Sequence, residues 1–346
     1  MRQHPLHRLA RWLWQSRNPL ARTMRATLLP LSALYGAVVW VRAALYRVGV
    51  LTPRPLPLPA VAVGNRAVGG AGKTPLAAWI AEFYTARGRV PGILLRGYGG
   101  DEARVHERLV PGAVVVPNPD RVAGAAQALA RGADVLVLDD AFQTLAVGRD
   151  LNLLLVGAEN VREVPWLLPA GPWRESWSAL RRADAVVVTR KRAGAEEARA
   201  LAAAVAARWP GKPVAVAYLA LDHLEGMLSG HRMEATDLTG RQVVAVAGIA
   251  DPESYAVQVR ASGASVQLVA YQDHHPYDED DLTRLVRAQA AADYVVVTEK
   301  DAVKLRHRWP ADAREPLVAV LTVRWEYNGE AIVQALDALP VVPRRF

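Results

Sequence analysis

Cysteine is absent from all 346 residues. That absence excludes a disulfide-stapled fold, thiolate zinc sites, iron–sulfur clusters and a cysteine nucleophile, and it suits a reducing compartment. Acidic residues are also missing, but only locally. Reading from Met1, the first is Glu82, and the eighty-one residues before it carry ten arginines and Lys73. With 42 basic residues against 34 acidic in the whole chain, the rest is slightly acidic, so the net charge of +8 belongs to the N-terminal segment. Internal repeats and low-complexity tails are lacking too. A hydrophobic share of 51% with 22% charged residues excludes wholesale disorder. The length suggests about two domains.

Between Arg25 and Arg42 lies the uncharged run ATLLPLSALYGAVVWV. As a helix it spans about 24 Å, short of the roughly 30 Å hydrocarbon core of a bilayer. Pro30 and Gly36 weaken it further. The run starts late and no small-residue cleavage site follows, which is not the layout of a secretory signal peptide. Upstream, HPLHRLARWLWQ sets Leu6, Leu9, Leu13 and Trp14 near one face with arginines beside them, as interfacial helices do. The arginines before Ala26 are each attracted to an anionic leaflet by roughly 1 kcal/mol. A buried core helix is the plain alternative. Tryptophan among leucines suits a lipid interface better than a phosphate track, so residues 1–50 are expected to associate with a membrane and not with nucleic acid.

The proline-rich LTPRPLPLPA (51–60) reads as an extended connector. Short β-branched runs follow at helix-sized intervals: Val61–Val63, Ile93–Leu95, Val114–Val116, Val135–Leu138, Leu151–Val156 and Ala185–Thr189, with Ala-rich helices such as Val122–Arg131 and Ala195–Arg208 between some of them. A second series comprises Val214–Tyr218, Val243–Ile249, Val266–Tyr271, Tyr294–Thr298 and Val318–Val323. Continuous apolar strands alternating with helices imply a parallel sheet covered on both faces. The polar, irregular stretch Leu221–Leu238 marks the expected boundary. The fold class is therefore α/β: a P-loop NTPase-like parallel-sheet unit (51–225), a smaller α/β unit (226–346), and the N-terminal membrane-associated helix.

The strongest signal is VAVGNRAVGGAGKTP (61–75), a strand, a glycine-rich turn and the start of a helix. Glycines let backbone amides converge on phosphate oxygens at a helix N-terminus. Ala67, Val68, Gly69, Gly70, Ala71 and Gly72 form the cradle, Lys73 reaches the β/γ-phosphates of ATP, and Thr74 ligates Mg²⁺. Pro75 costs little, because first-turn amides need no partner. Ala67 stands at the first glycine of the strict pattern. The chemistry also requires an acid at the tip of a neighbouring strand, and VLVLDD supplies Asp139 for the metal, with Asp140 following.

Several blocks in one order resemble the tetraacyldisaccharide 4'-kinase (lipid A 4'-kinase) family: LLPLSALYGAVVWVRAALYRVG, VGNRAVGGAGKTP, ILLRGYGGDE, LDDAFQTLAVGRDLNLLLV, LPAGPWRES, AVAGIADPESY, DHHPYDEDDL and VVVTEKDAVKL. Departures are visible. The family's DDGFQH reads Asp139-Asp140-Ala141-Phe142-Gln143-Thr144, its LREP-like segment reads Trp173-Arg174-Glu175-Ser176, and the usual spacer before Gly-Asp-Glu is missing. The resemblance implies γ-phosphoryl transfer from ATP to the 4'-hydroxyl of an acylated glucosamine disaccharide 1-phosphate, at the cytoplasmic face of the bacterial inner membrane. It implies Asp101 and His274 as the catalytic pair. Physically, a carboxylate accepts the hydroxyl proton and a histidine orients it, with Asp273 placed to fix the ring.

Asp273-His274-His275 alone reads equally as a solvated turn or a metal site. Arg174 and Glu175 follow a Pro-Ala-Gly-Pro turn and either meet substrate phosphate or metal, or pair with each other. Asn65, Arg96, Tyr98, Gln143 and Lys300 complete the candidate substrate contacts; Lys300 and Lys304 otherwise read as a solvated helix start. Thr298-Glu299-Lys300-Asp301 resembles a guanine-reading NKxD only superficially, since its Lys and Asp are adjacent. The rival reading is a membrane-bound MinD/ParA-like ATPase, whose loop reads KGGxGKT; here Val68 holds the position of that leading lysine. Nothing in the motifs calls for an obligate protein partner.

Overall fold

A computed structural model of the chain describes residues 5–97, 100–162 and 164–340. Two N-terminal helices, α1 (Pro5–Gln15) and α2 (Pro19–Arg47), precede the sheet. Then come β1 (Ala60–Asn65), α3 (Lys73–Thr85), β2 (Pro91–Leu95), α4 (Asp101–Leu109), β3 (Val114–Pro117), α5 (Arg121–Ala130), β4 (Val135–Leu138), β5 (Leu151–Gly157), β6 (Ala185–Arg190) and α6 (Ala195–Arg208). The second half holds β7 (Val214–Gly226), β8 (Arg232–Glu234), β9 (Gln242–Ala247), α7 (Pro252–Arg260), β10 (Ser265–Ala270), α8 (Glu279–Ala288), β11 (Tyr294–Thr298), α9 (Glu299–Leu305), β12 (Leu317–Tyr327) and α10 (Gly329–Asp337).

Among the described residues all twelve strands join one sheet, ordered β10-β9-β11-β12-β7-β6-β5-β1-β4-β2-β3, with β8 on β7. The pairs are parallel except β7–β12 and β7–β8. In β1, β2, β4 and β5 every residue is buried, which is why they read as unbroken apolar runs rather than alternating ones. The chain leaves β1 towards β2 and β3, returns to β4, and crosses to β5 on the other side. This reversal opens a crevice beyond the carboxyl end of β1, where ligands of such sheets bind. Between β10 and β11, β9 makes a second crevice in the same way.

The antiparallel β7–β12 ribbon decides how the two crevices meet. Near its amino end β7 pairs with β6, up to Arg190↔Tyr218, while β12 pairs with β11 up to Thr298↔Ala319, opposite Leu224 of β7. The halves therefore sit at opposite ends of the ribbon with opposite strand directions, and their carboxyl edges face each other across residues 219–223, a span of roughly 17 Å. A register shift lies there, between Val320 and Leu321.

The expected irregular boundary at Leu221–Leu238 differs in its first part. Residues 221–226 continue β7, because β12 offers them a full ladder of partners. A division at 225/226 thus falls at the end of a strand that both halves share. The expected weakening at Pro30 is also not seen: α2 runs through Pro30 and Gly36 for 29 residues. Ser32 and Tyr35 hold it just beyond the proline, with Ser32 donating to the Leu167 carbonyl (3.0 Å) and accepting from the Ala170 amide (3.0 Å). Tyr35 donates to the Arg174 carbonyl (3.0 Å). Leu20, Leu31, Leu34, Val38, Trp40 and Val41 on the same helix are exposed. By length and composition α2 is long and apolar enough to cross a membrane.

Candidate active site

The phosphate loop leaves β1 at Asn65 and enters α3 at Lys73, with Gly72 at φ 85° as the turning residue. A side chain there would be strained and would also collide with Leu219 of β7. Asn65 spans the loop: its Nδ2 donates to the Gly69 carbonyl (3.2 Å), and its Oδ1 accepts from Lys73 Nζ (3.2 Å). Asn65 thus shapes the cradle. Gln143 braces it in turn, donating to the Asn65 carbonyl (2.8 Å).

Behind the loop runs LPAGPWRES. The Val68 amide donates to the Pro172 carbonyl (2.8 Å), the Arg174 amide to the Arg66 carbonyl (2.7 Å), and Ala67 bridges Trp173. The Arg66 guanidinium lies between the indoles of Trp173 and Trp177, 3.7 Å from each ring centre, and burial pushes it down to about 10. Through Tyr35 and Ser32 this backing segment is also tied to α2, so the N-terminal helix is coupled to the phosphate loop.

Thr74 Oγ1 stands 3.4 Å from Asp139 Oδ2, which also contacts Nε2 of the wholly buried His106 on α4 (3.0 Å). Burial raises the Asp139 carboxyl, but the hydrogen bond and charge of His106, with Lys73 and Lys300, outweigh it and hold the group below the usual carboxylate range. Asp139 Oδ1 is buried without a partner. A threonine hydroxyl beside an orphaned carboxylate oxygen fits Mg²⁺, which takes few protein oxygens and keeps water and phosphate as its other ligands. Among the described residues no cluster of three or more His, Asp or Glu could hold a metal alone.

Two of the four expected metal ligands, Glu175 and Asp140, are engaged by cations in this structure. Glu175 is buried with both oxygens on Arg182 Nη2 (2.9 and 2.8 Å), which places it in an ion pair. Asp140 accepts from Arg174 through both oxygens (3.2 Å each) and stands 3.7 Å from Lys73 Nζ, so it neutralises the cations around the loop. Arg174 and Glu175 accordingly do not pair with each other.

Facing this from the other half is the loop after β10. Asp101 is the first residue of α4, where the helix N-terminus favours a negative charge. Its Oδ2 meets His274 Nδ1 at 2.8 Å and Lys304 Nζ at 3.3 Å. Burial raises the Asp101 carboxyl, yet the hydrogen bond and charge of His274, with Lys304 and Lys300, hold it well below the usual range. The bond to Asp101 raises His274 in return; burial opposes this and Asp273 adds to it. Asp273 is 3.9 Å from His274 Nε2, near enough for charge but too far for a hydrogen bond. Lys300 pairs with Glu102 (3.2 Å) beside Asp101, so both lysines of the TEKD helix act on the head of α4.

The neighbouring motif residues hold these loops. Asp301 accepts from the Gly248 amide (2.9 Å) and from Thr298 Oγ1 (2.6 Å), and His275 meets Asp281 (2.6 Å) while stacking on Tyr271. Arg96 is exposed at the carboxyl edge beyond β2. Tyr98 lies outside the described residues. Sequence reasoning missed His106, which belongs to no phosphate-loop motif; only the seating of α4 beside the tip of β4 brings it to Asp139.

This fold places the chain among P-loop NTPase-like α/β proteins. The family described as LpxK, Tetraacyldisaccharide-1-P 4'-kinase, matches residues 24–340, and the chain belongs to it. A tetraacyldisaccharide 4'-kinase of Geobacter metallireducens is 38% identical over 83% of this chain and 90% of its own. Another, from Anaeromyxobacter dehalogenans, is 38% identical over 94% of this chain and 93% of its own. A crystal structure of LpxK from Aquifex aeolicus in complex with ATP superimposes with a TM-score of 0.71 at 27% identity, over 91% of this chain and 98% of that one.

The Asp101–His274 pair has a pH signature. The depressed Asp101 contributes stability above its unfolded value of about 4 and loses it on acidification; the raised His274 contributes below about 6.5 and loses it as pH rises through its folded value. The melting temperature of the chain should therefore exceed that of His274→Gln most between about pH 4 and 6.5, and the gap should narrow on the alkaline side. A gap independent of pH in thermal melts would count against a charged pair.

Proposed function

We propose that the chain is an ATP-dependent lipid kinase that phosphorylates the 4'-hydroxyl of a tetraacylated glucosamine disaccharide 1-phosphate. The observation that carries this reading is the 2.8 Å contact of Asp101 with His274, which sets a buried carboxylate from one half against the other half's loop in front of the phosphate loop. Lys73 and the loop amides hold the β/γ-phosphates of ATP, aided by the helix N-terminus. Thr74 and Asp139 would hold Mg²⁺, which would supply charge neutralisation on those phosphates. Asp101 orients the sugar hydroxyl. A carboxylate this acidic takes the proton only as the alcohol oxygen bonds to phosphorus and the bond to the ADP leaving group breaks. His274 holds Asp101 in place, and the facing halves exclude water from the transfer.

The lipid arrives from the membrane side. An open apolar recess of about 400 Å³ is lined by Leu31, Leu34, Tyr35, Val38, Leu168 and Pro169. It lies between α2 and the segment that backs the phosphate loop, and it suits acyl chains of a substrate whose headgroup faces Arg174. The exposed apolar side of α2 and its arginines support a membrane-associated reading, in which the protein works at the cytoplasmic face of the bacterial inner membrane.

Full-length protein given Mg-ATP and the monophosphorylated acylated disaccharide should yield a bisphosphorylated product by mass spectrometry, and Asp101→Asn should lower turnover by roughly 10²- to 10⁴-fold. ATP hydrolysis indifferent to lipid, with no such product, would overturn the reading. The double variant Trp40→Glu/Val41→Glu, altered only at exposed positions, should pellet less with anionic vesicles; unchanged sedimentation would remove α2 from the membrane contact.

A further inference from the structure

The residue that follows β6 is unused by the mechanism above. Thr189, near the end of β6, donates to the Ala71 carbonyl of the phosphate loop (2.8 Å). Arg190 turns the other way, to Glu326 of β12. Lys191 turns back to the loop. A β-carbon built on Gly70 would meet a single neighbouring heavy atom within 4 Å, and that atom is Lys191 Nζ at 3.3 Å. Position 70 has no positive φ to require glycine, so its missing side chain leaves the ammonium its room.

The backbone that presents this lysine is fixed. Glu159 Oε1 accepts from the amides of Lys191, Arg192 and Ala193 (2.6, 2.9 and 3.1 Å), which caps the turn after β6. The charges facing the ammonium are Asp251 and Glu159, which reach it through charge without a hydrogen bond, and Lys73 and Lys300, which repel it. Burial opposes its charge most of all and pushes its pKa down. A half-buried cation, set among other cations and bonded to no carboxylate, is a favourable partner for an anion that completes the site.

We propose that Lys191 is a nucleotide-contacting residue, whose ammonium closes the Gly70 side of the phosphate loop and pairs with the phosphates of ATP as a second cation beside Lys73. This rests on the ATP-dependent reading given above and extends it to a residue outside the loop. Lys191 comes from the strand after the loop's own neighbour, so the loop is charged from two elements. The ion pair replaces the water lost on burial, and the ammonium is then held in its charged form.

The test is the affinity of full-length protein for Mg-ATP and Mg-ADP, measured calorimetrically for the unaltered chain, Lys191→Gln and Lys191→Arg. A lost charge-assisted contact should raise the dissociation constant of Lys191→Gln for Mg-ATP by about 10- to 100-fold, whereas Lys191→Arg should stay within about fivefold of the unaltered chain. Should Lys191→Gln fail to fold, Lys191→Met, of similar length, carries the same expectation. Equal affinity of the unaltered chain and the neutral variants, within about twofold, overturns the assignment and leaves the kinase reading standing. No binding of Mg-ATP by the unaltered chain overturns both.

Discussion

The antiparallel pairing of β7 with β12 is the constraint on which the site depends. Parallel α/β sheets gather ligands at their carboxyl edges, and a sheet with two such parallel halves needs those edges to oppose each other if one reaction is to use both. A ribbon whose two strands serve opposite halves does this by strand direction alone. The phosphate loop after β1, Asp101 after β2 and Asp139 after β4 then face His274 after β10 and Lys300 after β11. The reversal also explains the length of β7 and β12, 13 and 11 residues against four to seven for most of the others.

Helix α4 carries this geometry into chemistry. Its first residue is the proposed base and its sixth, His106, fixes the proposed metal carboxylate, so one rigid element holds two reacting groups in register. Around it the charges alternate. Lys300 and Lys304 hold Glu102 and Asp101, Arg174 and Lys73 hold Asp140, and Arg182 holds Glu175. Each of these acids thus lies beside a cation, and at Asp101 the neighbouring charges outweigh burial and favour the ionised carboxylate. Asp139 Oδ1, buried without a partner, and the Lys191 ammonium are the groups proposed to meet ligands.

Much of this was legible in the chain. The strands announced themselves because both faces are buried, and the phosphate loop did so because only glycine-rich turns bring amides together there. The family resemblance named Asp101 and His274, which lie 173 residues apart and meet only through the fold. What was not legible depends on partners far away in sequence. Residues 221–226 look irregular until β12 is laid beside them. The ion pair of Glu175 with Arg182 and the place of Lys191 beside Gly70 likewise appear only in the fold. Val68, where a MinD-like loop has lysine, was a local signal, and the family match agrees with it.

Ser32, Tyr35 and the 166–175 segment couple α2 to the phosphate loop, so in the proposed reading a lipid seated against the helix is presented to the site rather than merely concentrated near it. The central claim is direct passage of the phosphoryl group across the facing edges, from nucleotide to lipid hydroxyl. Transfer from ATP made chiral at its γ-phosphorus measures this most directly. In-line displacement predicts inversion of configuration in the lipid product, and net retention, the mark of a phosphorylated enzyme in between, would contradict the account.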